Sequence, residues 1–120
     1  MSENNTLKRA QFNFKFGMLS VYAGIKDIKF IHPLTGYSRT AEEQNELYLK
    51  GVSKCDGYEK VSMHQLDRAR DLVIVDDKGN PINDYGDHPQ YQVLGDFWES
   101  LGGRWGGNFS NFRDIFHFEY

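Results

Sequence analysis

Only one cysteine, Cys55, occurs in the 120 residues, which excludes an intramolecular disulfide and any cysteine-rich zinc module. A metal site in this chain must therefore be built from His, Asp and Glu. No run of five or more basic residues occurs, and 14 basic against 17 acidic side chains leave a net charge of −3. Such a balance lacks the electrostatic footprint of a nucleic-acid binder. No stretch approaches the roughly 20 apolar residues of a membrane span. Phe16 to Ala23 follows Lys8 and Arg9 as a signal peptide's apolar segment would, but Lys15 adjoins it and Gly17, Ser20 and Tyr22 dilute it. The expectation is a soluble chain made in the cytoplasm without a leader.

What the chain does have is aromatic mass, with 9 Phe, 7 Tyr and 2 Trp making up 15 % of it. That argues against disorder, and 120 residues suit one domain with one core. The reading is a single domain over residues 1–120, with polar Met1 to Thr6 frayed. Phe12, Phe16, Leu19 and Ala23 recur at helical spacing, with Gly24 as a stop. Ile28 to Ile31 reads as a short strand. Thr40 followed by Glu43 has capping-box spacing, so a helix is expected from about Ala41 to Lys50, ending at Gly51. A loop from Gly51 to Lys60 follows, with Gly57 near its tip.

Leu72 to Val75 is four strand-formers in a row, which predicts a strand covered on both faces. Pro81 limits the returning segment to an edge. Pro89 suits a helix start, with Val93, Leu94, Phe97, Trp98 and Leu101 as the apolar face and Gly102-Gly103 as the stop. Phe116, Phe118 and Tyr120 alternate with Ile115, His117 and Glu119 as in a half-buried strand. Helices and strands show no regular βαβ rhythm, so the class is α+β. The acidic residues Asp76, Asp77, Asp84 and Asp87 lack the ligand spacing of a calcium loop and read as a solvated turn.

Of the four histidines, His32 stands in a turn region and His88 at a helix start, and neither suggests chemistry. His64 and His117 differ. His64 stands seven positions before Asp71, a carboxylate at the head of an apolar strand. A charge entering a core needs a partner or a metal. Seven extended residues would span about 23 Å, so both can ligate one ion only if the chain folds back near Asp67. His117, on the last strand, would be the third ligand. Three protein ligands leave a fourth position for water, as in a catalytic zinc site. By spacing alone such a trio often arises by chance.

Its company sets it apart. Ser62, His64, Ala69 and Asp71 resemble the S-x-H-x-x-G-x-A-x-D motif of the zinc D-alanyl-D-alanine peptidases. That family includes D,D-carboxypeptidases and the L-alanyl-D-glutamate endopeptidases of phage endolysins. Gly36-Tyr-Ser-Arg39-Thr-Ala-Glu-Glu-Gln44 through Tyr48 is similar to its G-[YF]-R-[ST]-x-x-E-Q-x-x-L-[YF] stretch, with Ser38 ahead of the arginine. Trp105-Gly-Gly-Asn-Phe109 and Asp114-x-x-His117-Phe118 are similar to its W-G-G-x-[FW] and [DE]-x-x-H-[FW] signature. The three blocks stand in the family's order over residues 36 to 118. One position departs: the family's glycine is Asp67. If φ there is positive, Asp tolerates it at roughly 1 kcal/mol; a damaged site in a wall-binding homologue is the other consequence.

The resemblance implies a small antiparallel sheet flanked by helices, with the zinc site on the sheet. His64, Asp71 and His117 would hold zinc, and Asp114 would be the general base with Glu119 in reserve. Arg39 would bind a substrate carboxylate or the oxyanion. Ser62 would touch substrate or steady the site, and Trp105 would wall the cleft or serve the core. The implied substrate is peptidoglycan. A compact, leaderless single domain is the form of an endolysin that reaches the wall through a membrane pore made by another protein. The expected enzyme is thus a monomeric L-alanyl-D-glutamate endopeptidase, with a D,D-carboxypeptidase as the other enzymatic reading.

Overall fold

A computed structural model describes residues 4–33, 38–86 and 88–120. Gly36, Tyr37 and Asp87 lie outside the described residues, as do Met1 to Glu3. The chain begins with helix α1, Asn5–Ile25, capped by the Asn4 side chain accepting from the Leu7 amide at 3.1 Å. Residues 4–6 thus belong to a capped helix rather than to a frayed end. Phe12, Leu19 and Ala23 face inward, as their spacing predicts, while Phe14, Val21 and Ile25 face solvent. Gly24 does not end this helix. The left-handed position falls on Asp27 (φ 56°), where the Ile28 amide returns to Ala23 O at 2.8 Å and the Asp27 amide to Gly24 O at 3.1 Å. This is the paired bonding of a Schellman stop, with Asp where glycine is usual.

Strand β1 (Lys29–Ile31) leads to helix α2 (Ala41–Leu49), whose Thr40–Glu43 capping box is present with both bonds made. Gly57, in the following loop, has φ +93°, and an added methyl would run into the Ala41 carbonyl. The apolar run at Leu72 is not one strand. The chain forms β2 (Ala69–Asp71), breaks at Leu72 and continues as β3 (Val73–Val75). Leu72 and Ile74 are buried, whereas Val73 and Val75 are half-buried, so one face of β3 is covered and not two. The run divides because β3 pairs with β1 while β2 joins a different sheet, so the chain passes from one sheet to the other at Leu72. Pro81 bridges Val75 at an edge.

Helix α3 (Pro89–Ser100) has Pro at its first turn and buries Tyr91, Leu94, Gly95 and Trp98. Short strand β4 (Arg104–Trp105) and a single 3₁₀ turn (Gly106–Asn108) precede the last strand, β5 (His117–Glu119). Among the described residues there are two small antiparallel sheets, β1-β3 and β2-β5-β4. The core between sheets and helices is aromatic: Phe12 meets Trp98 edge-on at 5.7 Å, and Trp98 meets Phe118 at 6.2 Å. The α+β class and the small antiparallel sheet with flanking helices are as expected. No helix of the described residues is long and apolar enough to cross a membrane.

The acidic turn is satisfied internally. Asp76 accepts from the amides of Lys78 and Asn80, Asp77 pairs with Lys29 at 3.3 Å, and Asp84 lies 2.6 Å from His88 Nε2.

Candidate metal centre

Strand register builds the site. β2 and β5 are antiparallel with Asp71 directly opposite His117 and Ala69 opposite Glu119, and opposite residues on one face lie within reach of each other. The chain before β2 supplies the third group through a tight turn. Its return is closed by the Asp67 amide on His64 O at 3.2 Å and the Arg68 amide on Met63 O at 2.9 Å. Asp67 sits at the centre of that turn with φ 56°. The position therefore does demand the left-handed region, and Asp occupies it.

Asp67 also does something a glycine cannot. Its carboxylate takes Arg70 Nη2 at 2.9 Å and Arg9 Nη2 at 3.1 Å, tying the turn to β2 and α1. The Arg70 side chain is only 6 % exposed, and its guanidinium also stands over the Phe12 ring at 5.2 Å. Glycine at 67 would relieve backbone strain of about 1 kcal/mol but leave a buried cation short of its carboxylate, a larger loss. Asp67→Gly is accordingly expected to lower stability by about 1–2 kcal/mol. Urea unfolding measures this, and a stabilised variant would show that the ion pairs contribute nothing.

The result is that one donor atom each from His64, Asp71 and His117 lies within 4.8 Å of the other two. Asp71 Oδ1 is 3.3 Å from His64 Nε2 and 3.3 Å from His117 Nδ1. Two ligands about 2.1 Å from a tetrahedral metal are about 3.4 Å apart, so this spacing fits a shared divalent cation. The imidazole rings meet at 62° with centroids 5.2 Å apart. The donor set, two imidazole nitrogens and one carboxylate oxygen, is one that zinc and related metals accept.

A surrounding layer orients these groups. Glu119 Oε1 lies 2.7 Å from His117 Nε2 and its other oxygen takes Arg104 Nη1 at 3.1 Å. That places a carboxylate on the ring nitrogen facing away from the metal position, where it fixes tautomer and ring angle. Arg39, with its side chain 10 % exposed, reaches Asp71 Oδ2 at 3.3 Å and Gln44 Oε1 at 3.0 Å. Gln44 is fully buried and spends its amide on Ser53 Oγ and Cys55 O. His32, without apparent chemistry in the sequence, lies with Nδ1 2.9 Å from the Asp71 carbonyl.

The charges respond to one another. Burial raises the Asp71 carboxyl, but hydrogen bonds from His117 and His64 outweigh it and hold Asp71 well below the usual carboxylate range. Burial lowers the His117 imidazole, yet Asp71 and Glu119 on its two nitrogens raise it to about 9. Binding a cation here thus expels a proton at neutral pH. Burial and the neighbouring Asp71 charge push Asp114 up. Burial likewise depresses the Arg39 guanidinium, partly offset by Asp71 and Asp114.

Asp114 and His117 are joined by a turn, the His117 amide donating to Asp114 O at 3.3 Å. Asp114 Oδ1 accepts from the Phe116 amide at 3.0 Å, and Asp114 and His117 line a cavity of about 420 Å³ with His64, Asp71 and Arg39. Ser62, 8 % exposed, lies on the same wall, where its hydroxyl accepts from the Gln65 amide at 3.3 Å and supports the turn carrying His64. Trp105 does not wall this cavity. It is 1 % exposed, inside the core, with Nε1 donating to Ile115 O at 2.8 Å. The ring lies inward because Gly95 and Gly107 leave it room: a methyl at either would collide with it.

Sequence reasoning missed the support given by Gln44 and His32, and took Glu119 only as a reserve base. A polar residue on the inward side of α2 was the available signal for Gln44. Glu119 sits two residues after His117 on one strand, which places it on the same face. Glu119→Gln is expected to weaken metal affinity about 10- to 100-fold, read by competition with a chelator. A change under twofold would remove Glu119 from the supporting layer.

Asp71 and His117 from one antiparallel sheet and His64 from the turn before it converge on one cavity beside the half-buried acid Asp114, an arrangement on an α+β fold that could hold a metal ion. The D-alanyl-D-alanine carboxypeptidase family model matches residues 56–120, over half of the chain, and the chain belongs to that family. The match includes His64, Asp71, Asp114 and His117 and leaves Arg39 and α2 outside it. In structure the chain is similar to the crystal structure of Serratia marcescens L-Ala D-Glu endopeptidase ChiX, with a TM-score of 0.56 and 21 % identity over 77 % of this chain. It spans 66 % of the length of that chain. No curated protein matches.

Proposed function

We propose that this chain is a zinc-dependent peptidoglycan endopeptidase that hydrolyses the L-alanyl-D-glutamate bond of stem peptides. The observation that carries the reading is the convergence of His64, Asp71 and His117 within 4.8 Å, beside a second, half-buried carboxylate, Asp114, on the same cavity. His64, Asp71 and His117 would hold the metal. When bound, it supplies Lewis acidity, lowering the pKa of a water toward 7 and polarising the scissile carbonyl.

The remaining work falls to the chain's own side chains. Asp114, with its proton affinity raised, accepts the proton of the attacking water and returns it to the leaving amine. Arg39, a permanent cation beside Asp71, stabilises negative charge on the carbonyl oxygen. Glu119 keeps His117 oriented, and Ser62 steadies the turn behind His64. The fold likeness to ChiX, an L-Ala D-Glu endopeptidase, supports the internal bond. The family description supports the second reading, removal of a terminal D-alanine. An endolysin role at the cell wall, as a monomer entering through a pore made by another protein, completes the proposal.

Digestion of purified peptidoglycan by the metal-loaded chain decides between them. New free amino groups on D-glutamate are expected. Release of D-alanine alone would overturn the endopeptidase reading, and binding without turnover would leave only a wall-binding module.

A further inference from the structure

The cavity is chemically lopsided. Its floor is ionic, while its rim carries Val52 and Val61 and two aromatic rings, Phe109 and Phe112. Phe112 is 52 % exposed, and what sets it apart is a backbone with φ 51°, a region bulky residues rarely enter. Nothing in the core requires an aromatic there, and strain of this kind collects where a ligand is gripped. Over its ring, 5.3 Å from the centroid, stands the ammonium of Lys54 from the loop after α2. Lys54 is exposed and lines the same cavity. The other cation lining it, Arg39, is already engaged by Asp71 and Gln44.

We infer that Lys54 and Phe112 form a lip that selects a substrate carrying a carboxylate next to the leaving nitrogen. The inference rests on the endopeptidase reading and names what that cavity recognises. Asp114 returns the proton to the leaving amine, so the leaving part of the substrate lies on the Asp114 side. Phe112 is two residues before Asp114 in the loop leading into that turn, and both line the cavity, which places the lip on that side. In a D-glutamate linked onward through its γ-carboxyl, the free α-carboxylate sits on the carbon that bears the leaving nitrogen. A mobile ammonium held over an aromatic face can pair with it, and the ring covers the aliphatic part of the residue. Amidation of that carboxylate, which removes the charge, would therefore be sensed by Lys54.

Calorimetry on the metal-loaded full chain tests this with two probes, N-acetyl-γ-D-glutamyl-L-lysine and its α-carboxamide. Acylation of the α-nitrogen in both removes the amine that would otherwise chelate the metal together with the α-carboxylate, and restores the amide nitrogen of the intact stem. The acid is expected to bind about tenfold more tightly than the amide. Lys54→Met, which keeps an unbranched stem over Phe112, should shrink the preference to within twofold. Phe112→Asn suits a positive φ and should weaken both probes several-fold without lowering the melting temperature. Equal affinity of the natural chain for both probes, or an undiminished preference in Lys54→Met, would overturn the inference. Because binding is read apart from turnover, failure to cut stem peptides would count against the endopeptidase reading and leave this measurement intact.

Discussion

If the chain is the metal-dependent peptidase proposed, Asp114→Asn will keep its metal content and hydrolyse stem peptide about 10²- to 10⁴-fold more slowly than the natural chain. Asparagine keeps the oxygen that accepts the Phe116 amide at 3.0 Å and the backbone bond from its amide to Gly106 O at 3.0 Å. The turn to His117 therefore stays in place. What is lost is the capacity to accept and return a proton. Replacing Asp71 by Asn should differ in kind, because it removes a ligand charge and leaves Arg39 facing a neutral amide, so metal content and rate fall together. Metal analysis alongside initial rates separates the two variants. An Asp114→Asn protein with natural turnover would move the base elsewhere, with Glu119 next in line.

The second large effect concerns stability. Trp105→Ala is expected to cost about 3–5 kcal/mol, as for other large aromatic truncations in a core. The ring stacks obliquely on Phe118 at 6.4 Å, and its N–H satisfies the Ile115 carbonyl at 2.8 Å. Truncation opens a void between α3 and β5 and leaves that carbonyl unpaired, which adds to the loss. Since Ile115 follows Asp114 directly, the turn that positions Asp114, the proposed base, loosens as well, and turnover should drop with stability. Urea unfolding is the deciding measurement. Unchanged stability with a raised KM would return Trp105 to the cleft wall.

These expectations divide by how visible their grounds are in the chain itself. The capping box at Thr40 and Glu43, the inward stripe of α1 and the helix opened by Pro89 follow from local rules of hydrogen bonding and periodicity. Residue type and motif order likewise identified His64, Asp71, Asp114 and His117 as candidates. The stop of α1 at Asp27 was hidden because a non-glycine occupies the left-handed position. The break at Leu72 was hidden because four consecutive apolar residues look the same whether they form one strand or pass between two sheets.

The sequence alone determined which side chains have metal-binding and proton-accepting chemistry, because that is a property of functional groups and their spacing. Only the tertiary structure decided that β2 and β5 pair with Asp71 opposite His117, that Glu119 backs His117, and that Trp105 turns inward while Phe112 turns out. Those outcomes depend on register and on room left by distant glycines, which are long-range packing facts that no local pattern encodes.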